Sequence, residues 1–361
     1  MSAFDPKADI PCHCGRPFLN RPDSCYDPVV QGAGATMRRR EFITLLGSVA
    51  AWPLAAVAQQ APATRHIAIL SSGGRDYESQ IAAFKQRLDT LGWHEGRNVQ
   101  IEIRLAESDI KKARRYAGEL VAMMPDIFLA TNTEMVQLIQ AETRSVPIVF
   151  VQVPDPVGSG FAASFAHPGG NITGFTNFDS AMAGKWLELL KVVAPSLSRV
   201  CVILQAGNPT AAGYAKMIEA AAPTFAVTVN PVSLRDGPSI DAAVEAFARE
   251  PEGGLIVPPS ALTTFFGERI IALAAQNRLP AVYPYSEFAT AGGLMSYGIN
   301  RTVLFQDAAA YVDRILKGEK PRDLPVQTPT NFELVVNLRT AKALGLKIPE
   351  PFLLSAHQVI E

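Results

Sequence analysis

The chain has no excess of charge of either sign: its 33 basic and 34 acidic residues give a formal net charge of −1 over 361 residues. A chain without a basic field is a poor candidate for binding nucleic acid. No apolar run in the body of the chain reaches eighteen residues, so no transmembrane helix is predicted there. With 48% hydrophobic and 19% charged residues, the composition indicates a soluble protein of about two domains.

Cysteine is also scarce. Three of the four cysteines, Cys12, Cys14 and Cys25, precede residue 58. Their spacing is not that of a zinc site, so no metal is predicted. Cys201 lies in the apolar run RVCVIL, where it is expected to be a small buried side chain. Cys201 is the only cysteine after residue 58, so we predict that this part of the chain has no disulfide.

The motifs of common enzymes are absent. There is no G-x-S-x-G, since Gly158-Ser159-Gly160 lacks the spacing, and no H-E-x-x-H, P-loop or G-x-G-x-x-G after the first strand. The four histidines after residue 58 are scattered along the chain. An acid–base pair of Asp155 and Glu287 remains the one catalytic alternative. We expect a protein that is not an enzyme and has no cofactor.

An export signal is present near the start. From Met37 the sequence MRRREFITLLGSVAAWPLAAVAQQ places three arginines before an apolar region and a small-x-small site at Ala56–Ala58, the order found in signal peptides. Arg39-Arg40 resembles a twin-arginine signal, but Arg38 and Thr44 depart from that pattern, which leaves Sec export open. Residues 37–58 are predicted to be a cleaved signal peptide and 1–36 a non-native extension. Export to the periplasm follows, and no cysteine is available there for a lipid anchor.

The rest of the chain alternates strands and helices in two successive sets. Buried β-rich runs such as HIAIL and PIVFV are each followed by a turn and a helical pattern. This alternation indicates α/β lobes, each with a mostly parallel sheet flanked by helices. The C-terminal elements are too few for a third core and are expected to complete the two sheets.

Polar residues follow many of the predicted strands, where ligands bind in open α/β sheets. The most prominent break is Pro154-Asp155-Pro156, at the end of an apolar strand. Hydroxyls and helix amides suit a carboxylate, while Asp155 or Glu287 would meet an ammonium group. The alternatives are N-capping for Thr131 and Ser260 and a turn for Asp155. The predicted ligand-binding residues are Ser72, Gly73, Thr131, Asn132, Asp155, Asn208, Thr210, Ser260, Tyr285, Ser286 and Tyr297.

Three stretches carry a family resemblance: the export signal, VPDPVGSGFAASFAHPGGNITGF, and the tail from GGLMSYGINRTVLFQ to KALGLKIP. Together they resemble the uncharacterised, TrpX-like substrate-binding proteins of ABC transporters. The resemblance implies a type I periplasmic-binding fold with three crossings between two lobes, a solute held between them, and permease and ATPase partners. The ligand does not carry over; an aromatic or branched amino acid is the first expectation.

On this basis the first lobe is predicted to comprise 64–176 plus 290–325, and the second 177–289 plus 326–361. The expected function is that of a monomeric periplasmic binding component of an importer. A sensor subunit with a receptor partner is the alternative. A cytoplasmic repressor is disfavoured, because no helix-turn-helix precedes His66 and an export signal is present.

Overall fold

The structure is a computed structural model that describes residues 64–74, 77–179, 181–208 and 210–361. The predicted extension 1–36 and signal peptide 37–58 lie outside these residues. The described residues fall in one compact unit, Ala61–Glu361. Within them, no helix has both the length and the hydropathy needed to span a membrane.

The first lobe is built on a five-stranded sheet. All its strands are parallel, in the order β2-β1-β3-β4-β5. Its elements are β1 (Arg65–Ser71), α1 (Glu78–Thr90), β2 (Val99–Leu105), α2 (Ile110–Ala122), β3 (Ile127–Ala130), α3 (Thr133–Glu142), β4 (Ile148–Val151) and β5 (Ile172–Phe175). The β3 and β4 strands are buried throughout, as expected of strands covered on both faces.

The second lobe contains a seven-stranded sheet in the order β12-β11-β10-β9-β8-β6-β7. Only the β10–β11 pair is antiparallel. Its elements are α4 (Ala181–Val193), β6 (Arg199–Gln205), α5 (Ala211–Ala221), β7 (Thr228–Leu234), α6 (Gly237–Phe247), β8 (Gly253–Ile256), α7 (Ala261–Phe265), α8 (Gly267–Gln276), β9 (Ala281–Tyr283), α9 (Ser286–Thr290), β10 (Met295–Gly298), β11 (Glu333–Asn337), α11 (Leu338–Ala343), α12 (Glu350–Leu354) and β12 (Gln358–Ile360). The predicted α/β fold with two mostly parallel sheets is confirmed.

One late helix returns to the first lobe. Helix α10 (Arg301–Leu316) packs on α1, where the rings of Tyr77 and Phe305 lie 6.0 Å apart, edge to face. The indole of Trp93, just beyond α1, donates to Asp313 at 2.8 Å. The strand before this helix behaves differently: Met295–Gly298 pairs with β9 and β11 in the second sheet. The prediction that put all of 290–325 in the first lobe is therefore wrong for this strand.

The chain crosses between the lobes three times, after β5, after β10 and before β11. The first and third crossings run side by side, since Phe175 bridges Gln327 and the Thr176 amide donates to the Gln327 carbonyl at 2.9 Å. The second crossing is the short link Ile299–Asn300, and the Asn300 side chain caps α10 by accepting from the Val303 amide. Together the crossings form the hinge.

Candidate ligand cleft

A cavity lies between the two lobes, at the carboxyl ends of their parallel strands. Residues that follow β3, β4, β6, β8 and β9 line it. Parallel strands end at the same edge of a sheet, so two facing sheets bring the loops of both lobes to one place. The lining residues are Tyr77, Thr131, Asn132, Thr133, Glu134, Gln152, Pro154, Asn177, Asn208, Thr210, Pro259, Ser260, Ala261, Thr264 and Tyr285.

The first lobe contributes the start of helix α3 to this cavity. The Asn132 side chain caps the helix by accepting from the Met135 amide at 3.0 Å. Its amide nitrogen donates to the Ser72 hydroxyl at 2.7 Å, and the Ser72 amide donates to the Thr131 hydroxyl at 3.2 Å. Ser72 is buried behind Asn132, so it orients the cap instead of lining the cavity. The neighbouring Gly73 amide donates to Ser71 Oγ and likewise does not line it.

Glu134, in the first turn of α3, is a carboxylate on the cavity wall. Burial raises its pKa above the usual range, because a desolvated carboxylate is less stable in its charged form. It accepts a hydrogen bond at 2.9 Å from Gln205 Nε2 of the second lobe. The other end of the Gln205 carboxamide accepts from the Leu262 amide at the start of α7, so this contact fixes one lobe against the other.

A buried hydrogen-bond network joins both lobes at the back of the cavity. The Tyr77 hydroxyl donates to Gln152 Oε1 at 2.9 Å, and Gln152 Nε2 donates to the Tyr285 hydroxyl at 2.8 Å. Asn177 Nδ2, on the first crossing, donates to the same hydroxyl at 3.0 Å. Both lone pairs of the Tyr285 oxygen are then used, which leaves its own hydrogen available to a ligand. Among the described residues, the buried Asn177 Oδ1 has no hydrogen-bond partner, so the cavity wall also offers an acceptor.

Arg301 lies beside this network, at the first position of α10. Its guanidinium carbon is 4.4 Å from the centre of the Tyr77 ring and 4.9 Å from that of the Tyr285 ring. One ring belongs to the first lobe and the other to the second, so the cation is held between the lobes. Glu287 is 3.5 Å from Arg301 and accepts from Gln80 Nε2 at 2.8 Å. These contacts define a closed arrangement of the lobes.

The second lobe presents two further helix starts. Asn208 Oδ1 accepts from both the amide and the hydroxyl of Thr210, before α5. Ser260 and Thr263 form a capping box at α7, so the N-cap alternative considered for Ser260 describes its hydrogen bonds while the residue also lines the cavity. The Ser108 hydroxyl of the first lobe donates to the Ala261 carbonyl at 3.3 Å, a further contact across the cleft.

The structure brings six of the eleven predicted binding residues together at the cavity: Thr131, Asn132, Asn208, Thr210, Ser260 and Tyr285. The other five are Ser72, Gly73, Asp155, Ser286 and Tyr297. Asp155 is exposed, and its carboxylate accepts from the Gly158 amide at 2.7 Å, which closes a turn. Tyr297 stacks on Phe332 with ring centres 5.7 Å apart, and the Ser286 hydroxyl is near Glu287. None of these three lines the cavity.

Tyr77, Glu134, Gln152 and Asn177 line the cavity but were not predicted. Glu134 follows Thr131 by three residues, and Gln152 directly follows β4, so position relative to the strand ends could have suggested both. Tyr77 and Asn177 gave no such signal, because the first precedes a helix and the second lies on a crossing. No cluster of metal-ligating side chains occurs within the described ranges.

Two α/β lobes, three crossings and a polar cavity between the strand ends define a solute-binding protein of the periplasmic-binding class. The family model for ABC transporter substrate binding proteins matches residues 67–360. The chain belongs to this family. It is 25% identical over 264 residues to the tyrosine-binding protein of Clostridioides difficile, with 73% of this chain and 76% of that protein aligned.

Solved structures share the fold. A domain from Streptococcus pneumonia in complex with L-Trp aligns with a TM-score of 0.78 at 22% identity, covering 82% of this chain and 100% of that one. A conserved domain protein from Vibrio cholerae aligns with the same TM-score at 24% identity, covering 82% and 99%. The ligand-free, open structure of a substrate-binding protein from Clostridium difficile aligns with a TM-score of 0.62 at 23% identity, covering 82% and 99%. The predicted family and type I fold are confirmed.

Proposed function

We propose that the chain binds a free α-amino acid with an aromatic side chain between its lobes and delivers it to an ABC permease as a monomeric periplasmic protein. The observation that carries this proposal is the closure of polar strand-end residues from both lobes around one cavity. The tyrosine-binding relative and the tryptophan complex of a structural neighbour support an aromatic ligand. The predicted signal peptide 37–58 supports export.

The polar groups of the cavity suit a zwitterion. The ligand carboxylate would accept from the hydroxyl of Thr133 and from the first amides of α3, where the helix dipole favours an anion. The ligand ammonium would donate to Glu134 and to Asn177 Oδ1. An ammonium beside Glu134 would offset the desolvation of that carboxylate and lower its raised pKa.

The apolar part of the lining suits a flat ring. Pro154 follows β4 in the first lobe and Pro259 follows β8 in the second, so the two lobes supply comparable rigid apolar surfaces. Tyr285 lines the same cavity and adds an aromatic ring. Contacts made to both lobes at once stabilise the closed form, which is the form that a permease would recognise.

The test is a panel of the twenty amino acids, screened by thermal shift and then by isothermal titration calorimetry. We expect tyrosine, tryptophan or phenylalanine to raise the melting temperature and bind most tightly. Glu134→Gln should weaken binding by about 10-fold or more, the cost of losing one charge-assisted hydrogen bond. The same change should leave binding of the corresponding 2-hydroxy acid, which has no ammonium group, nearly unchanged.

Glu142→Gln is the matched control, because Glu142 lies at the exposed far end of the same helix. Equal losses for the amino acid and the hydroxy acid would contradict the assignment of Glu134. No thermal shift with any amino acid would overturn the proposed ligand class. Mass spectrometry of solute released from the purified, denatured protein would then identify the true ligand class.

A further inference from the structure

A second, larger cavity of about 490 Å³ lies against the hinge. Residues from all three crossings line it, together with one side of helix α10. We call it the hinge groove; its lining residues are Phe175, Thr176, Ile299, Asn300, Val303, Leu304, Asp307, Ala310, Tyr311, Arg314, Gln327, Thr328, Pro329, Thr330, Asn331 and Glu333. Its volume is within the range of small-molecule sites.

The hinge groove is distinct from the cleft, since the two cavities share no lining residue. Thr176 lines the groove and the next residue, Asn177, lines the cleft. Asn300 lines the groove, while the guanidinium of Arg301 lies between two tyrosines that line the cleft. Successive side chains of an extended segment point to opposite sides, so the first crossing is a wall with the cleft on one side and the groove on the other.

The charges of the groove favour a cation. Asp307 and Glu333 supply two carboxylates, whereas the guanidinium of Arg314 is neutralised by Glu319 through hydrogen bonds of 2.5 and 2.7 Å. Partial burial raises the pKa of Asp307, with Arg87 of α1 opposing the shift. A bound ammonium group would stabilise this carboxylate in its charged form.

Part of the groove wall is apolar, and one buried hydroxyl on the wall has no hydrogen-bond partner among the described residues. Phe175 and Tyr311 contact each other with ring centres 4.7 Å apart, and Ile299 and Leu304 lie on the same cavity. Thr176 is 1% exposed, and its Oγ1 has no hydrogen-bond partner among the described residues. A buried hydroxyl without a partner costs free energy, which a ligand donor or acceptor would recover.

We propose that the hinge groove is a second binding site, for a small organic cation with an apolar body, and that its occupancy favours the closed lobes. Occupancy favours the closed form because the first crossing separates the two cavities and lies between them. A rotation about the crossings that opens the cleft narrows the groove on the opposite side, so a molecule in the groove opposes opening. By linkage, the cation and the cleft ligand then raise each other's affinity by the same factor.

Methyl NMR with cyclohexylamine as the probe tests the site. The methyl groups of Thr176, Ile299, Val303 and Leu304 report on the groove, and those of Thr131, Thr133 and Ala261 report on the cleft. We expect the amine to shift the groove signals in a saturable way, and cyclohexanol, its neutral counterpart, to do so at least about fivefold more weakly. Shifts confined to the cleft, or equal shifts with both probes, would overturn the proposal.

Two variants locate the charge. Asp307→Asn combined with Glu333→Gln keeps the acceptor that Asn300 Nδ2 uses on Glu333, yet should weaken the amine by about fivefold or more. Glu268→Gln, on the exposed surface of α8, is the control and should leave amine binding unchanged. An unchanged affinity in the double variant would contradict the site.

The coupling is measured separately. Calorimetry of the cleft ligand with and without saturating cyclohexylamine should show tighter binding with the amine, and the double variant should lose that difference. Unchanged or weaker binding would contradict the predicted direction of coupling. Only this measurement depends on the proposed amino-acid ligand; the NMR titration tests the groove even if the cleft takes another solute.

Discussion

The hydroxyl of Tyr285 accepts a 2.8 Å hydrogen bond from the side-chain nitrogen of Gln152, and so joins the second lobe to the first inside a buried network. Gln152 has a positive φ of 59°, a backbone conformation that non-glycine residues adopt at a cost. The network compensates this cost by directing the carboxamide between two tyrosine hydroxyls. Closure of the cleft therefore depends on a polar contact as well as on the ligand.

Tyr285→Phe should destabilise the closed protein. The change leaves the buried donors of Gln152 and Asn177 without their acceptor, at a cost of about 1–3 kcal/mol. Urea denaturation in the presence of the ligand measures it. Tyr116→Phe, a half-buried tyrosine on α2, should change stability by less than about 0.5 kcal/mol; equal effects of the two variants would refute the role of the network.

Glu287→Ala should shift the lobes toward the open form. It removes the acceptor of Gln80 and a carboxylate 3.5 Å from Arg301, both of which are contacts between lobes. We expect a larger radius of gyration by small-angle scattering without ligand and binding about 5- to 50-fold weaker, as for the loss of a partly buried ionic contact. Glu188→Ala, at an exposed position of α4, is the control. An unchanged affinity would show that this contact does not contribute to closure.

Gly174→Ala should destabilise the first sheet severely. Gly174 has a φ of 154°, and a Cβ atom there would lie 2.1 Å from the Phe150 carbonyl oxygen of the neighbouring strand. Gly118→Ala is the matched comparison: Gly118 is inside α2, and an added Cβ meets no atom within 4 Å. That change should stabilise the helix by up to about 1 kcal/mol. Thermal unfolding of both variants decides the matter, and similar melting temperatures would contradict the backbone clash.

Glu134→Gln should make stability less dependent on pH. Burial raises the pKa of Glu134 in the folded protein. At pH values between the unfolded and the folded pKa, the folded state therefore binds more protons than the unfolded state. Stability therefore falls between the unfolded pKa, near 4.5, and the raised folded value. Urea midpoints without ligand between pH 4 and 8 should fall more in the wild type than in Glu134→Gln. Parallel plots of urea midpoint against pH for the wild type and Glu134→Gln would contradict a raised pKa of Glu134. The control Glu142→Gln should follow the wild type.

Asp155 shows where reasoning from local sequence reaches its limit. A carboxylate between two prolines at a strand end indicated a ligand contact, yet its side chain closes a turn on the Gly158 amide while Pro154 lines the cavity. Neighbouring side chains of an extended segment point to opposite sides. Asp155 lies beyond the end of β4, where the alternating pattern of the strand no longer predicts which side chain points into the cavity. The same limit applies to Ser286, which was predicted to bind the ligand but does not line the cavity, although the preceding residue, Tyr285, does.

The two α/β sets and the strand ends that supply the cavity could be predicted from the sequence, because apolar periodicity and turn residues act over a few neighbouring positions. Six of the residues that line the cavity were predicted in this way. The family was indicated by the resemblance of three stretches of the sequence to a known family. Only the tertiary structure placed β10 in the second sheet. It alone formed the hinge groove and brought Tyr77, Gln152, Asn177 and Tyr285 into one network, whose hydrogen bonds join residues as far as 133 positions apart. Such contacts depend on how two lobes pack, which no local pattern encodes.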